Sequence, residues 1–204
     1  RVDRNQVEIT RYLRGVGQRV VPFKKGPDYI DAGWLGQAAQ HPCYNLDPFL
    51  MSPEVILSSF ASHATAASIA VVEGNRGLYD GVDAAGASST AELALQLGLP
   101  VLLVVNCSKT TRTVAAMVLG CRELDKRLHI GGVILNQIAT ARQERVIREA
   151  VERYTAIPVV GVLPRQKKDI FPMRHLGITP HQEAESVQIA IDRLAGIVAE
   201  HFDA

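Results

Sequence analysis

Arg19-Val20-Val21-Pro22-Phe23-Lys24-Lys25-Gly26-Pro27-Asp28-Tyr29-Ile30-Asp31 is the stretch from which the fold can be read. Residues 19–23 are a short, nearly unbroken apolar run with two β-branched positions, and they give way at once to two lysines, Gly-Pro and two carboxylates. Continuous rather than alternating apolarity suits a strand buried on both faces, as in a parallel sheet. The pattern returns at Ile69–Val72, Val101–Val105, Gly132–Leu135 and Val159–Leu163. Helical patterns lie between the strands. One runs from Pro53 to about His63, with Ser52 as N-cap and proline in the first turn. Thr90–Leu97 is stopped by Gly98-Leu99-Pro100. Thr111–Leu124, Ala141–Tyr154 and Glu183–His201 are longer, and the last carries Val187, Ile191, Leu194 and Val198 on one face. Such alternation predicts an α/β fold, a doubly wound, mostly parallel sheet with right-handed crossovers.

Two segments break the rhythm. Val7, Ile9, Tyr12, Leu13 and Val16 share a helix face ending at Gly17, so these residues open on a helix with no strand before it. Gly26–Met51 is too long for an ordinary connection and reads as a functional loop.

The 204 residues, 47% of them apolar, suffice for one substantial core, and a single domain is expected over 1–204. Lys and Arg number 22 against 21 Asp and Glu, a net charge of +1 that supplies no general attraction to nucleic acid or to an anionic membrane. Cys43, Cys107 and Cys121 have no metal-type spacing and read as inert thiols in a reducing cytosol, so a cytoplasmic location is expected.

Ligands of open parallel sheets bind beyond the carboxyl ends of the strands. Here the successive strand ends deliver Lys24, Lys25, Asp28 and Asp31; Glu73, Asn75 and Arg76, then Tyr79 and Asp80; Asn106 and Ser108; Asn136; and Arg165. Lys24 can meet a phosphate as a point charge. Asp28 and Asp31, three residues apart, could hold Mg²⁺ or orient a substrate group, or Asp31 could simply be an N-cap. Glu73 ends a hydrophobic strand beside Gly74, an acidic position of the kind that holds Mg²⁺ in P-loop enzymes. Trp34 and Tyr44 could stack on a planar ligand or pack. His175 is more readily a structural histidine than a catalytic one.

Several stretches resemble the cobyrinic acid a,c-diamide synthase family: Pro22-Phe23-Lys24 with Gly26-Pro27-Asp28-Tyr29-Ile30-Asp31; Asn45-Leu46-Asp47-Pro48; Val72-Glu73-Gly74 with Gly77-Leu78-Tyr79-Asp80-Gly81; Ser89-Thr90-Ala91-Glu92-Leu93-Ala94; Gly132-Val133-Ile134-Leu135-Asn136; and Arg174-His175-Leu176-Gly177. They occur in the family's order. The resemblance implies a P-loop NTPase-like domain similar to dethiobiotin synthetase. Such a domain uses ATP and Mg²⁺ to phosphorylate an acetate of a corrin-type tetrapyrrole, and ammonia then displaces the phosphate. The ammonia comes from glutamine through a glutaminase domain or subunit. Carried over by residue, the resemblance implies Tyr29, Ile30 and Asp31 in the substrate loop, with Asp28 and Tyr79 beside them. It implies Asp31, Asp80, Tyr29 and Glu73 in catalysis, Lys24, Asn136 and Glu73 at the nucleotide, and Glu73 with Asp28 near the metal.

The family's Walker A loop would fall just before and into Arg1–Arg4, and no G-x-x-x-x-G-K-[ST] occurs in these residues. The N-terminal strand and P-loop are expected to be missing here, as is the C-terminal glutaminase domain, so the 204 residues alone are expected to be inactive. Trp34-Leu35 replaces an aromatic–histidine pair, and Met173 stands where the family has glutamate. These departures leave sirohaem or a metal-sirohydrochlorin as alternative substrates to cobyrinate or hydrogenobyrinate. A degenerate P-loop module that binds a tetrapyrrole or a partner protein without catalysis is the non-enzyme alternative, and a homodimer is compatible with either.

Overall fold

The computed structural model describes residues 4–66 and 68–165. The expectations at Met173, at Arg174-His175-Leu176-Gly177 and for a helix over Glu183–His201 lie outside them. Contacts divide the chain at Leu97/Gly98 into two compact units, each with its own parallel sheet.

The first unit runs α1 (Arg4–Gly15), β1 (Val20–Lys25), α2 (Tyr29–Ala39), β2 (Tyr44–Leu46), α3 (Pro53–His63), β3 (Ile69–Glu73) and α4 (Thr90–Leu97). Its three strands lie in the order β2-β1-β3. β1 is central and buried along its whole length, including Lys24 and Lys25, as its unbroken apolar run requires. Both neighbours pair with it in parallel, and Lys24 stands in register with Glu73 of β3 and with Asn45 of β2. One face of the sheet carries the core of Val21, Phe23, Leu46, Ile56 and Leu93. Phe23 is fully buried there, with ring centroids 5.0 Å from Phe60 and 5.8 Å from Tyr44.

α3 and α4 keep the limits read from the sequence, and Ser52 Oγ accepts from Val55 N as the expected N-cap. The segment expected to be a long loop, Gly26–Met51, instead holds α2 and β2. α2 buries Asp31, Ala32, Trp34, Leu35, Ala38 and Ala39, which share one face at helical spacing, with the carboxylate of Asp31 set among the apolar side chains. At Gly36 an added Cβ would lie 3.2 Å from His41 O, so the chain leaving the helix runs close against it.

The second unit runs β4 (Val101–Asn106), α5 (Thr113–Leu124), β5 (Ile130–Ile138), α6 (Ala141–Thr155) and β6 (Val159–Pro164), with strand order β4-β5-β6, all parallel. β5 is central and longer than its apolar core predicts. Its register slips between Asn136 and Ile138, where Gln137 takes φ +67. This bulge inserts one extra residue at the strand's carboxyl end. α6 is capped by Thr140 and ends on a left-handed Ala156. No helix among the described residues is long and apolar enough to cross a membrane.

Candidate functional site

The ends of β1 and β3 place two opposite charges side by side. Lys24 Nζ donates to Glu73 Oε1 at 3.1 Å and lies 3.5 Å from Asp31 Oδ2 in the first turn of α2. Lys24 and Glu73 are 4% and 2% exposed, so the pair is cut off from bulk water. Burial by itself would lower the Lys24 pKa, but Glu73, Asp31 and Asp28 together hold the ammonium above its ordinary value. Burial pushes the Asp31 carboxyl up, against the pull of Lys24, and Asp28 pushes it further. One ammonium thus faces Glu73, Asp31 and Asp28, and the acids outnumber it.

Asp28, not Asp31, caps α2. Its Oδ1 accepts from Ile30 N at 2.8 Å and Asp31 N at 3.3 Å. That cap swings Asp31 inward to Lys24 and leaves Tyr29 outside, 74% exposed. The turn before the helix is pinned from β2, where Asn45 Nδ2 donates to Gly26 O at 2.7 Å and Asp28 O at 3.1 Å. Gly26 adopts φ +85, a conformation that favours glycine. Reading the chain as a loop here hid Asn45's role; its signal is an amide two residues after Cys43, in the short strand β2 that the long-loop reading passed over.

After β3, Gly74 packs so tightly on Thr90 that an added Cβ would lie 2.5 Å from Cγ2. Thr90 Oγ1 also accepts from Asn75 N at 3.4 Å and donates to Asn75 O at 3.3 Å, which fixes the loop. Asp80 sits apart from the lysine cluster. It is exposed, and its Oδ2 accepts from Gly77 N at 2.9 Å, closing its own turn. Tyr79 is half-buried in that turn. Trp34 is wholly buried and packs, and Tyr44 stacks on His63 with centroids 3.6 Å apart, so neither ring is free for a planar ligand. Burial disfavours the thiolate of each cysteine: it pushes Cys43 up to about 12, with Glu73 adding to it, Cys107 up to about 11, and Cys121 upward as well.

In the second unit, β4 and β5 end on neutral groups, while Arg165, exposed directly after β6, donates its backbone N–H to Ile138 O at 2.7 Å. Asn106 Oδ1 accepts from Ser108 N at 2.9 Å. Asn136, at the bulge of β5, carries in its buried Oδ1 an acceptor that finds no hydrogen bond among the described residues. Its backbone carbonyl accepts from Cys107 N at 2.8 Å. Gln143 braces the surrounding loops by donating to Cys107 O at 2.7 Å and Thr110 O at 2.9 Å.

No three His, Cys, Asp or Glu among the described residues form a metal-binding group. Mg²⁺ commonly takes one or two protein carboxylates and completes its shell with phosphate oxygens and water. Glu73 and Asp28, in a net-acidic cluster around Lys24, fit that donor set.

The profile of a family described as an AAA domain matches residues 45–170. Cobyrinate a,c-diamide synthase of Magnetococcus marinus is 44% identical over 197 residues, 97% of this chain and 42% of that protein. The protein of the same name from Dehalococcoides mccartyi is 40% identical, over 96% of this chain and 42% of its own length. Hydrogenobyrinate a,c-diamide synthase of Mycobacterium bovis is 40% identical, over 94% of this chain and 43% of its own. The chain therefore spans under half the length of these curated relatives. Among solved structures, chloroplast FtsY from Physcomitrella patens aligns with a TM-score of 0.57 at 15% identity, over 92% of this chain and 61% of that one. The doubly wound α/β class read from the strand pattern and the P-loop NTPase-like fold implied by the resemblance are thereby borne out, as is the family resemblance itself.

Proposed function

Because the chain belongs to the AAA-domain family, in the branch that carries the cobyrinate and hydrogenobyrinate a,c-diamide synthases, we propose that it is the ATP-using part of an amidoligase acting on tetrapyrrole acetates. The observation that carries this reading is the buried cluster of Lys24, Glu73 and Asp31 at adjoining strand ends. In the reaction, a carboxylate oxygen attacks the γ-phosphorus of ATP, ADP leaves, and an acyl phosphate forms. Ammonia, released from glutamine by a glutaminase domain or subunit, then adds to the acyl carbon and expels phosphate with a proton lost to solvent. Positioning and charge neutralisation account for most of what a protein contributes to such a transfer.

Lys24 is the fixed cation of the site. Its two carboxylate partners hold it protonated at neutral pH and in one place, so an anionic oxygen brought to the rim meets a charge that needs no reorganisation. Glu73 and Asp28 would hold Mg²⁺, which supplies further neutralisation of the phosphate oxygens when bound. Asp31, between Lys24 and the exposed Tyr29, orients the acetate or the incoming ammonia. Tyr29, Ile30 and Tyr79 form the substrate side. Asp80, which shapes its own turn, contributes through the loop it closes. Asn136, whose buried Oδ1 finds no partner among the described residues, would take a base amino group there.

A large apolar macrocycle matches the surroundings. Tyr29, Phe49, Leu50 and Val82 are 74%, 71%, 67% and 65% exposed. They are tied to the site's loops through Asp47 Oδ1, which caps Phe49 N, and through Ser88, which donates to Pro48 O. The reading is tested by giving the intact protein MgATP, ammonia and one macrocycle at a time, and following the exchange of hydroxyl for amino by mass spectrometry. Amidation of cobyrinate or hydrogenobyrinate is expected. Amidation of sirohaem alone would move the substrate, and amidation of none alongside ATP hydrolysis would remove the tetrapyrrole reading.

A further inference from the structure

Successive residues of a strand point to opposite faces, so Lys24 and Lys25 leave β1 in opposite directions. Lys24 turns to Glu73 and Asp31. Lys25 continues the face of Val21 and Phe23, toward the loop after β3. It is 7% exposed, and among the described residues its ammonium makes one hydrogen bond, to Asn75 Oδ1 at 2.8 Å. An ammonium has three N–H groups. The nearby acid, Asp47, spends Oδ1 on Phe49 N at 2.8 Å and Leu50 N at 3.3 Å. Arg76 adds a second positive charge next to Asn75, on a backbone held at φ +54. Burial and the charges of Lys24 and Arg76 outweigh Asp47 and leave the Lys25 ammonium below its ordinary pKa, the mark of a cation short of anionic partners.

The arrangement is also rigid. Thr90 holds both backbone groups of Asn75 and leaves Gly74 no room for a side chain. Asn75 accepts from Lys25 through Oδ1, which frees Nδ2 to donate. The lysine at the end of β1 and the amide and guanidinium of the loop after β3 thus gather donors in one place, and among the described residues no anion matches them fully.

We propose that Lys25, Asn75 and Arg76 form a carboxylate subsite that grips a substrate carboxylate other than the one being activated at Lys24. The inference rests on the amidoligase reading, in which the substrate carries several acetates. The subsite would fix which acetate reaches Lys24: a rigid macrocycle held by one carboxylate at Lys25 and lying against Phe49 and Leu50 has few orientations left. Lys25 is then a specificity-determining residue that touches substrate but not the reacting atoms.

The test uses the intact protein and uroporphyrin, an octacarboxylate porphyrin, with its octamethyl ester as control, and follows binding by porphyrin fluorescence. Loss of one charge-assisted contact predicts that Lys25→Met weakens uroporphyrin binding by about ten- to a hundredfold, and that Lys25→Arg restores most of it. Binding of the ester should be equal in all three proteins. Steady-state kinetics should show KM for the carboxylate substrate rising by a similar factor, with kcat and KM for ATP within about threefold of wild type. Equal uroporphyrin affinity in wild type and Lys25→Met, including no binding by either, would overturn the proposal. So would a rise confined to KM for ATP, which would make the site a phosphate contact. A wild-type protein that binds uroporphyrin in a Lys25-dependent way but amidates no macrocycle keeps the subsite and removes the amidoligase reading.

Discussion

The two units build the same object, three parallel strands with helices between them, and finish it with opposite chemistry. At the strand ends of the first stand Lys24, Lys25, Glu73, Asp28 and Asp31, most of them buried and ion-paired. At the ends of β4 and β5 in the second stand Asn106, Ser108 and Asn136, neutral groups, with the buried Asn136 Oδ1 unpartnered among the described residues, and the charge that follows β6, Arg165, is exposed. A shared frame therefore does not settle what a strand end does. Fixed charges can neutralise a phosphoryl transfer, whereas an unpaired amide can read a neutral hydrogen-bonding edge but cannot offset charge.

The comparison breaks most readily at Glu73. Glu73→Ala leaves the buried Lys24 with Asp31 as its remaining close partner, and removing one member of a buried pair costs about 3–5 kcal/mol. Urea denaturation should register that loss, and turnover with MgATP should fall by about a hundredfold or more. Unaltered stability and turnover would mean that the first unit's charges are no more than decoration.

Asp31→Asn is the milder cut. The amide keeps the shape and the α2 cap, which belongs to Asp28, but not the charge. Amide formation should slow by about a hundredfold while affinity for the macrocycle changes by less than about threefold, since the loss falls on the transition state. Equal losses in both would place Asp31 in ground-state binding.

For the second unit the expected signs are reversed. Asn136→Ala deletes an acceptor that is unsatisfied among the described residues, so the folded protein should be as stable as wild type or slightly more so. Its KM for ATP should rise by about tenfold through one lost base contact. A marked drop in melting temperature would show that Asn136 is structural.

The smallest effect is in the pH dependence of stability. Asp31 has a folded-state pKa above 3.8, so the folded protein holds this proton more tightly than the unfolded chain. Its contribution is therefore full below 3.8 and lost as pH rises through the folded value. Lys24, raised above 10.5, contributes fully below 10.5 and loses that contribution as pH rises through its own folded value. Subtracting the Asp31→Asn stability profile from that of wild type should isolate a falling limb on the acid side. A rising limb would mean that Lys24, rather than burial, governs Asp31.

What the sequence revealed was whatever depends on period and position. The strand runs, the α3 and α4 limits with Ser52 as cap, and Lys24 and Glu73 at strand ends follow from apolar runs and their terminators. α2 escaped because Asp31 interrupts the apolar face formed by Ala32, Trp34, Leu35, Ala38 and Ala39, and Gly33 and Gly36 mimic loop composition. With α2 hidden, Asp31 read equally as cap or ligand, and the inward turn that Asp28 gives it could not be seen. The ion pair itself depends on strand register, which one sequence does not state. Trp34 and Tyr44 were open between stacking and packing because an aromatic's type says nothing of which way it faces; burial decides Trp34 for packing, and the stack on His63 decides Tyr44.

The central claim is that the charged strand ends of the first unit serve to activate a carboxylate. It is tested most directly by giving the intact protein a macrocycle whose acetate oxygens carry a heavy isotope, together with MgATP and ammonia, and analysing the phosphate released. An acyl phosphate passes one acetate oxygen to phosphate for each amide made, so heavy phosphate equal in amount to the amide is predicted, and Glu73→Ala should abolish both. Amide formation with unlabelled phosphate would contradict the claim.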